Sequence, residues 1–279
     1  MPAMMTNSGT VLRVDPGRDL LTPYERTPEE AKTKKNVEVF TLGRFQLKVQ
    51  GKTISDCCTA QTKPLEVMKA IIAMGGHAVR TERILDALWP DAEADAAHHA
   101  LETALYRLRK ILGVKQALIL QDGRLRFDSD YCWIDVWYFE RLLEEAEIAV
   151  EDEASLGVIE ILAAKLKLLY QGPFLHDSPE QYWLLSSRER IHYRLLSVLG
   201  SMGRLCEKKQ SPVQAIDLYQ RVIALNPLAE ESYQDLMLCL KRLGRRAEAV
   251  AVYQRCRKNL VSALNIEPSA ETEAIVKSL

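Results

Sequence analysis

Seven residues occur twice in this chain with nearly the same order and chemistry: Ala215-Ile216-Asp217-Leu218-Tyr219-Gln220-Arg221 and Ala249-Val250-Ala251-Val252-Tyr253-Gln254-Arg255. The two tyrosines stand 34 residues apart, 253 minus 219, and that period fits a pair of antiparallel helices with their turns. Such a unit cannot bury its apolar face alone, so it stacks on its neighbours. The small Ala lets a second helix approach and the Tyr fills the gap beside it. Asn226-Pro227 ends the first copy and Glu267-Pro268 the second, which carries extra residues before its proline.

The rest of the C-terminal half agrees. After Trp133-Ile134-Asp135 the pattern is helical throughout, with helices expected over 136–148, 153–169, 179–207, 212–224, 228–243, 246–264 and 269–277 and Pro or Gly at most junctions. Residues 135–279 therefore read as an all-α, tetratricopeptide-like domain. Stacks of this kind expose a groove that takes a peptide or a helix, although stacking also simply builds a stable body. Protein contact is the expected use, ahead of a small-molecule effector. Trp183, Tyr182, Tyr193 and Tyr233 are expected to pack in the core rather than to cage a ligand.

The N-terminal half has another texture. Residues 1–36 hold Pro2, Pro16, Pro23 and Pro28, two glycines and a charged end without sustained periodicity, which predicts a flexible arm; Val11 to Val14 are read as stray apolar residues rather than a docking strand. From Val37 apolar and polar residues alternate between Gly-containing turns, predicting short antiparallel strands. Three helices follow, over 63–74, 81–88 with Thr81 as its N-cap, and 94–112, closed by Gly113. Leu118-Ile119-Leu120 and Leu125-Arg126-Phe127 flank Asp122-Gly123, a strong hairpin signal. A small antiparallel sheet, three helices and a wing hairpin, in that order, describe a winged helix-turn-helix over residues 37–134. The whole chain is thus mainly α.

The third helix is the element of that fold that enters a DNA major groove, with the wing reaching the adjacent backbone or minor groove. If Leu101, Leu105, Leu108 and Leu112 face the core, the opposite face carries His99, Thr103, Tyr106, Arg107 and Lys110, with Glu102 at its margin. Arg107 and Lys110 suit phosphates or guanine, Thr103 a thymine methyl, and His98, His99 and Tyr106 can donate to phosphates or base edges. The formal net charge is −1, so any nucleic-acid surface must be local. Between Ala104 and Phe127, Arg107, Arg109, Lys110, Lys115, Arg124 and Arg126 face one acid, Asp122. A charged outer helix face is usually just solvated, and Arg109 is placed to pair with a carboxylate of its own domain. The preceding sheet, the Gly-bounded helices and the basic hairpin shift the balance to DNA contact.

Several motifs resemble those of SARP-type activators: Phe40-Thr41-Leu42-Gly43-Arg44-Phe45, the run from Arg83 to Pro90, and the run from Ala104 to Gly113. Tyr170-Gln171-Gly172-Pro173-Phe174-Leu175, Trp183, Arg188 and the two Tyr-Gln-Arg repeats resemble the bacterial transcriptional activation domain (BTAD) that follows the winged helix, of OmpR/PhoB type, in that family. The resemblance covers residues 37–279. It implies sequence-specific binding to promoter repeats in double-stranded DNA, a side-by-side pair of molecules forming a homodimer there, and recruitment of RNA polymerase. His98, His99 and Glu102 stand where the family commonly has a basic residue.

Other functions find less support. No G-x-x-x-x-G-K-[ST], G-x-S-x-G, H-E-x-x-H or G-x-G-x-x-G occurs, so neither an enzyme nor a cofactor is expected. Adjacent His98 and His99 diverge by ~100° on a helix and have no Cys or His partner close by, which argues against a metal. The six cysteines lack a CxxC pair and read as reduced, mostly buried thiols of a cytoplasmic protein; vicinal Cys57 and Cys58 have no third ligand nearby. No apolar run approaches the ~18 residues of a membrane span. The competing reading is a scaffold whose winged helix binds protein rather than DNA, with the repeat domain as its working surface.

Overall fold

In the computed structural model, residues 35–54, 62–178 and 181–279 are described. The expected arm and its Val11 to Val14 run, as well as Cys57 and Cys58, lie outside them. Strands β1 (Val37–Phe40), β2 (Gln46–Val49) and β3 (Lys52–Ile54) form the expected antiparallel meander. Helix α1 (Thr62–Ala73) leads to a two-residue strand β4 (Val79–Arg80), followed by α2 (Thr81–Leu88) and α3 (Ala94–Leu112). Strands β5 (Leu118–Gln121) and β6 (Arg124–Phe127) are the wing, paired Leu118 to Phe127 and Gln121 to Arg124. Asp122 and Gly123 between them have φ of 49° and 67°; both lie in the left-handed region, as the two-residue turn that matches strand twist requires.

Two strands go beyond the sequence expectation. β4 adds to the wing, giving the order β4-β6-β5, and β7 (Cys132–Ile134) runs parallel to β1, giving β3-β2-β1-β7. Thr81 is not the N-cap of α2. The cap position is Arg80, without a side-chain cap bond, while the Thr81 amide and hydroxyl both donate to the Gly123 carbonyl, at 2.9 and 3.1 Å. The wing turn has claimed the hydroxyl.

Among the described residues seven helices follow: α4 (Asp135–Glu151), α5 (Leu156–Leu169), α6 (Tyr182–Lys208), α7 (Pro212–Leu225), α8 (Glu230–Arg242), α9 (Arg246–Leu264) and α10 (Ala270–Lys277). Helix α5 begins three residues later than the pattern suggests, because Glu153 takes a φ of 49° and the Ala154 amide returns to the Ala149 carbonyl to close α4. In the first repeat, Ala215 and Tyr219 are fully buried, and the Tyr219 ring lies so close to Gly203 of α6 that a Cβ there would sit 2.5 Å from it. In the second, Ala249 is buried, but Tyr253 is half-buried and donates to Glu273 of the last helix. Tyr233 is in the core as expected. Tyr182 and Tyr193 are not: they are 93% and 62% exposed on the outer side of α6.

The described residues from Lys35 onward form one compact unit, and particular bonds explain why. Leu42 bridges Phe174, the Gly43 amide donates to Pro173 at 3.1 Å, and the Leu175 amide donates to Thr41 at 2.7 Å. Thus the Phe40-to-Phe45 motif and the Gln171-to-Leu175 motif meet backbone to backbone. Gly43 and Gly172 allow this approach, since a Cβ on Gly172 would stand 3.2 Å from the Gly43 Cα. Arg188 of α6 clamps the second motif by donating from Nε and Nη2 to the carbonyls of Phe174 and Leu175. Beside this seam Asp135, 3% exposed, accepts from the amides of Thr41, Leu42 and Val136 and from the Thr41 hydroxyl. Burial raises its pKa from the ordinary aspartate value, and the four donors oppose that rise.

Candidate nucleic-acid interface

Helix α3 is amphipathic because its leucines return every three or four residues. Leu101, Leu105, Leu108 and Leu112 are at most 3% exposed, and Ala97 and Ala104 extend the same buried face. The helix therefore has one rotational setting, which turns His99, Thr103, Tyr106, Arg107 and Lys110 to solvent. His99, Thr103, Tyr106 and Lys110 are spaced four, three and four residues apart and follow one line up the helix, with Arg107 flanking it. All remain exposed with the helical half in place, Tyr106 to 61%.

Local contacts shape this face. Lys110 Nζ lies 5.3 Å from the centroid of the Tyr106 ring, so the cation is steadied while still exposed. His99 Nδ1 is 3.8 Å from Glu102 Oε2 at the helix start. His98 is exposed too, but five residues before Thr103 it is turned ~140° from that residue at 3.6 residues per turn. The structure therefore places His98 on the flank, apart from the other five. Among the described residues Arg109 has no carboxylate partner; its Nε donates to the Leu118 carbonyl at 3.4 Å and ties α3 to the wing.

On the wing, Leu125 and Phe127 point into the core and Arg124 and Arg126 to solvent, as period-two alternation dictates. Arg124 also donates from Nη1 to the Ala78 carbonyl at 3.3 Å. The face thus offers guanidinium and ammonium donors on a helix and a hairpin, held by a buried leucine stripe and a two-residue turn. Sequence reasoning missed a histidine and two arginines beside them, His77, Arg80 and Arg83, which line a cleft with Arg124. The signal was the short β4, too brief to show any period.

The remaining chemistry is sparse. Among the described residues, no group of three His, Cys, Asp or Glu could hold a metal ion, and no helix is long and apolar enough to cross a membrane. Cys132, Cys206, Cys239 and Cys256 are free and buried, and burial pushes the Cys132 thiol up to about 12. Such a thiol is protonated and inert at neutral pH.

A winged helix with an exposed donor-rich third helix, joined to a stack of helical repeats, defines a class of winged-helix regulator. Residues 134–279 match the family of the bacterial transcriptional activator domain, just over half the chain. The chain belongs to that family and is similar to regulators of the SARP type. Among its relatives, the regulatory protein AfsR of Streptomyces griseus is 26% identical over 257 residues, covering 92% of this chain and 26% of AfsR. The transcriptional regulator RedD of Streptomyces coelicolor is 28% identical over 202 residues, covering 70% of this chain and 57% of RedD. This chain therefore spans about a quarter of the first and little more than half of the second. Among solved structures, Mycobacterium tuberculosis EmbR, in complex with a low affinity phosphopeptide, superposes with a TM-score of 0.63 at 17% identity, over 87% of this chain and 64% of that one. That likeness concerns the fold.

Proposed function

We propose that this regulator binds duplex promoter DNA sequence-specifically, with α3 in the major groove and the β5–β6 wing on the adjacent backbone or minor groove. Residues 37–134 are the DNA-binding half and residues 135–279 the protein-contact half. By the family resemblance it activates transcription as a pair of molecules on promoter repeats that recruits RNA polymerase, without catalysis, in the cytoplasm. The observation that carries the DNA reading is the exposure of Thr103, Tyr106, Arg107 and Lys110 on a helix whose other side is sealed. Such side chains match base edges and phosphates.

Binding of labelled genomic promoter fragments against random duplex tests this. We expect a preferred fragment, and an Arg107→Ala variant that loses roughly 1 to 3 kcal/mol on it if the guanidinium pairs with a guanine. A protein with no preference over random DNA would refute specific recognition. One that ignores DNA at moderate salt yet retains a discrete protein partner would be the scaffold instead.

A further inference from the structure

We propose that the cleft between β4, the start of α2 and the wing is a binding site for a phosphate group. It measures about 430 Å³, and its lining includes His77, Arg80, Arg83 and Arg124 over an apolar part made by Met74, Ala78 and Val79. Arg80 and Arg124 are register partners on β4 and β6, so their side chains leave the same face of the sheet about 5 Å apart at Cβ. Like charges in that relation repel. Arg83 adds a third guanidinium from the first turn of α2, and Glu82 is the one acid of the lining. Among the described residues, none of the three arginines makes an ion pair; their one hydrogen bond runs from Arg124 to the Ala78 carbonyl.

The backbone adds to the same field. α2 starts at Thr81 with no side-chain cap; the Gly123 carbonyl takes the Thr81 amide, and the positive end of the helix dipole lies beside the cleft. Three guanidiniums, a histidine and an uncapped helix start around one concavity suit a tetrahedral oxyanion, which can accept several such donors at once. The phosphate has two sources: the DNA strand passing the wing, or a small phosphorylated molecule. The first rests on the DNA-binding reading above, since Arg124 belongs to both surfaces. The second does not.

The test uses the full chain and the Arg80→Gln/Arg83→Gln double variant, which leaves α3 and Arg124 intact. In the first arm, anisotropy titrations of a labelled duplex are repeated at several salt concentrations. If the cleft holds a backbone phosphate, the slope of log affinity against log salt becomes shallower by about 0.9 for each phosphate that is no longer neutralised, equally on preferred and random duplexes, and Arg80→Lys/Arg83→Lys restores it. In the second arm, inorganic phosphate is titrated into DNA-free protein in a calorimeter. A saturable heat that the glutamine variant abolishes assigns the cleft to a small phosphorylated ligand. An unchanged slope together with no variant-sensitive heat overturns the site. If the unaltered protein binds no duplex at all, the DNA reading fails, and the phosphate titration alone decides the cleft.

Discussion

Asp135 is the residue whose replacement tests the junction of the two halves most sharply. Its Oδ2 accepts from the Thr41 and Leu42 amides, and its Oδ1 from the Thr41 hydroxyl and the Val136 amide. Asp135→Ala strands all four donors in a site with almost no solvent access. Each buried donor left without a partner costs about 1 to 3 kcal/mol. Relaxation returns part of that, so a loss of at least about 3 kcal/mol is expected, in the range seen when buried polar networks are broken. Asp135→Asn should behave differently. Its carbonyl oxygen can serve the two amides at Oδ2, while its NH2, at the Oδ1 position, donates to a Thr41 hydroxyl that rotates to accept. Only the Val136 amide is then stranded, and the expected loss is about 1 to 3 kcal/mol. Burial already raises the pKa of this carboxyl, so a neutral isostere is less foreign here than the count of donors suggests. Urea unfolding at neutral pH, followed by tryptophan fluorescence, separates the cases through the midpoint at constant slope. If Asn is as damaging as Ala, or if Ala lies within about 0.5 kcal/mol of the unaltered protein, the range of ordinary surface substitutions, the network does not hold the junction.

Two further outcomes check the helical half. In Gly203→Ala, the new Cβ would stand 2.5 Å from the Tyr219 ring, so overpacking of about 1 to 3 kcal/mol should outweigh the helical preference of Ala, while Gly157→Ala on α5, with nothing within 4 Å, should stabilise by up to ~1 kcal/mol; melting temperatures of opposite sign are required. Arg194 grips Glu147 through Nε and Nη2 at 2.8 and 2.6 Å and holds the carboxyl below its ordinary pKa. A folded pKa below the unfolded one means stability that is present above the ordinary glutamate range and is lost as pH falls through the lowered value. Glu147→Gln should therefore cost no more than about 1 kcal/mol at neutral pH, since solvent screens this half-exposed pair, and nothing in acid; a deficit that persists in acid denies the pair any part in stability.

What could be read from the chain, and what could not, follows from the range of each interaction. The leucine stripe of α3 is a signal internal to one helix, so periodicity recovers both the bounds of the helix and its outward face. Asp122-Gly123 is equally local, because two left-handed residues specify the hairpin by themselves. Thr81 shows where local rules stop: its position and chemistry suit a cap, but the Gly123 carbonyl, 42 residues away, takes its hydroxyl. Cys132-Trp133-Ile134 carries no alternation because both of its faces are buried, and its partner β1 lies almost a hundred residues upstream. Asp135 reads as an ordinary acid at a helix start, yet two of its partners are the Thr41 hydroxyl and amide, 94 residues earlier. The arginine cleft depends on the same kind of distant fact. Arg124 reads as a cation of the wing and Arg80 carries no pattern of its own, and only the pairing of β4 with β6 makes them opposed charges that an anion would reconcile. The outward face of α3 is thus the part of the candidate surface that a single helix encodes, whereas the cleft and the junction exist only after strands distant in sequence have paired.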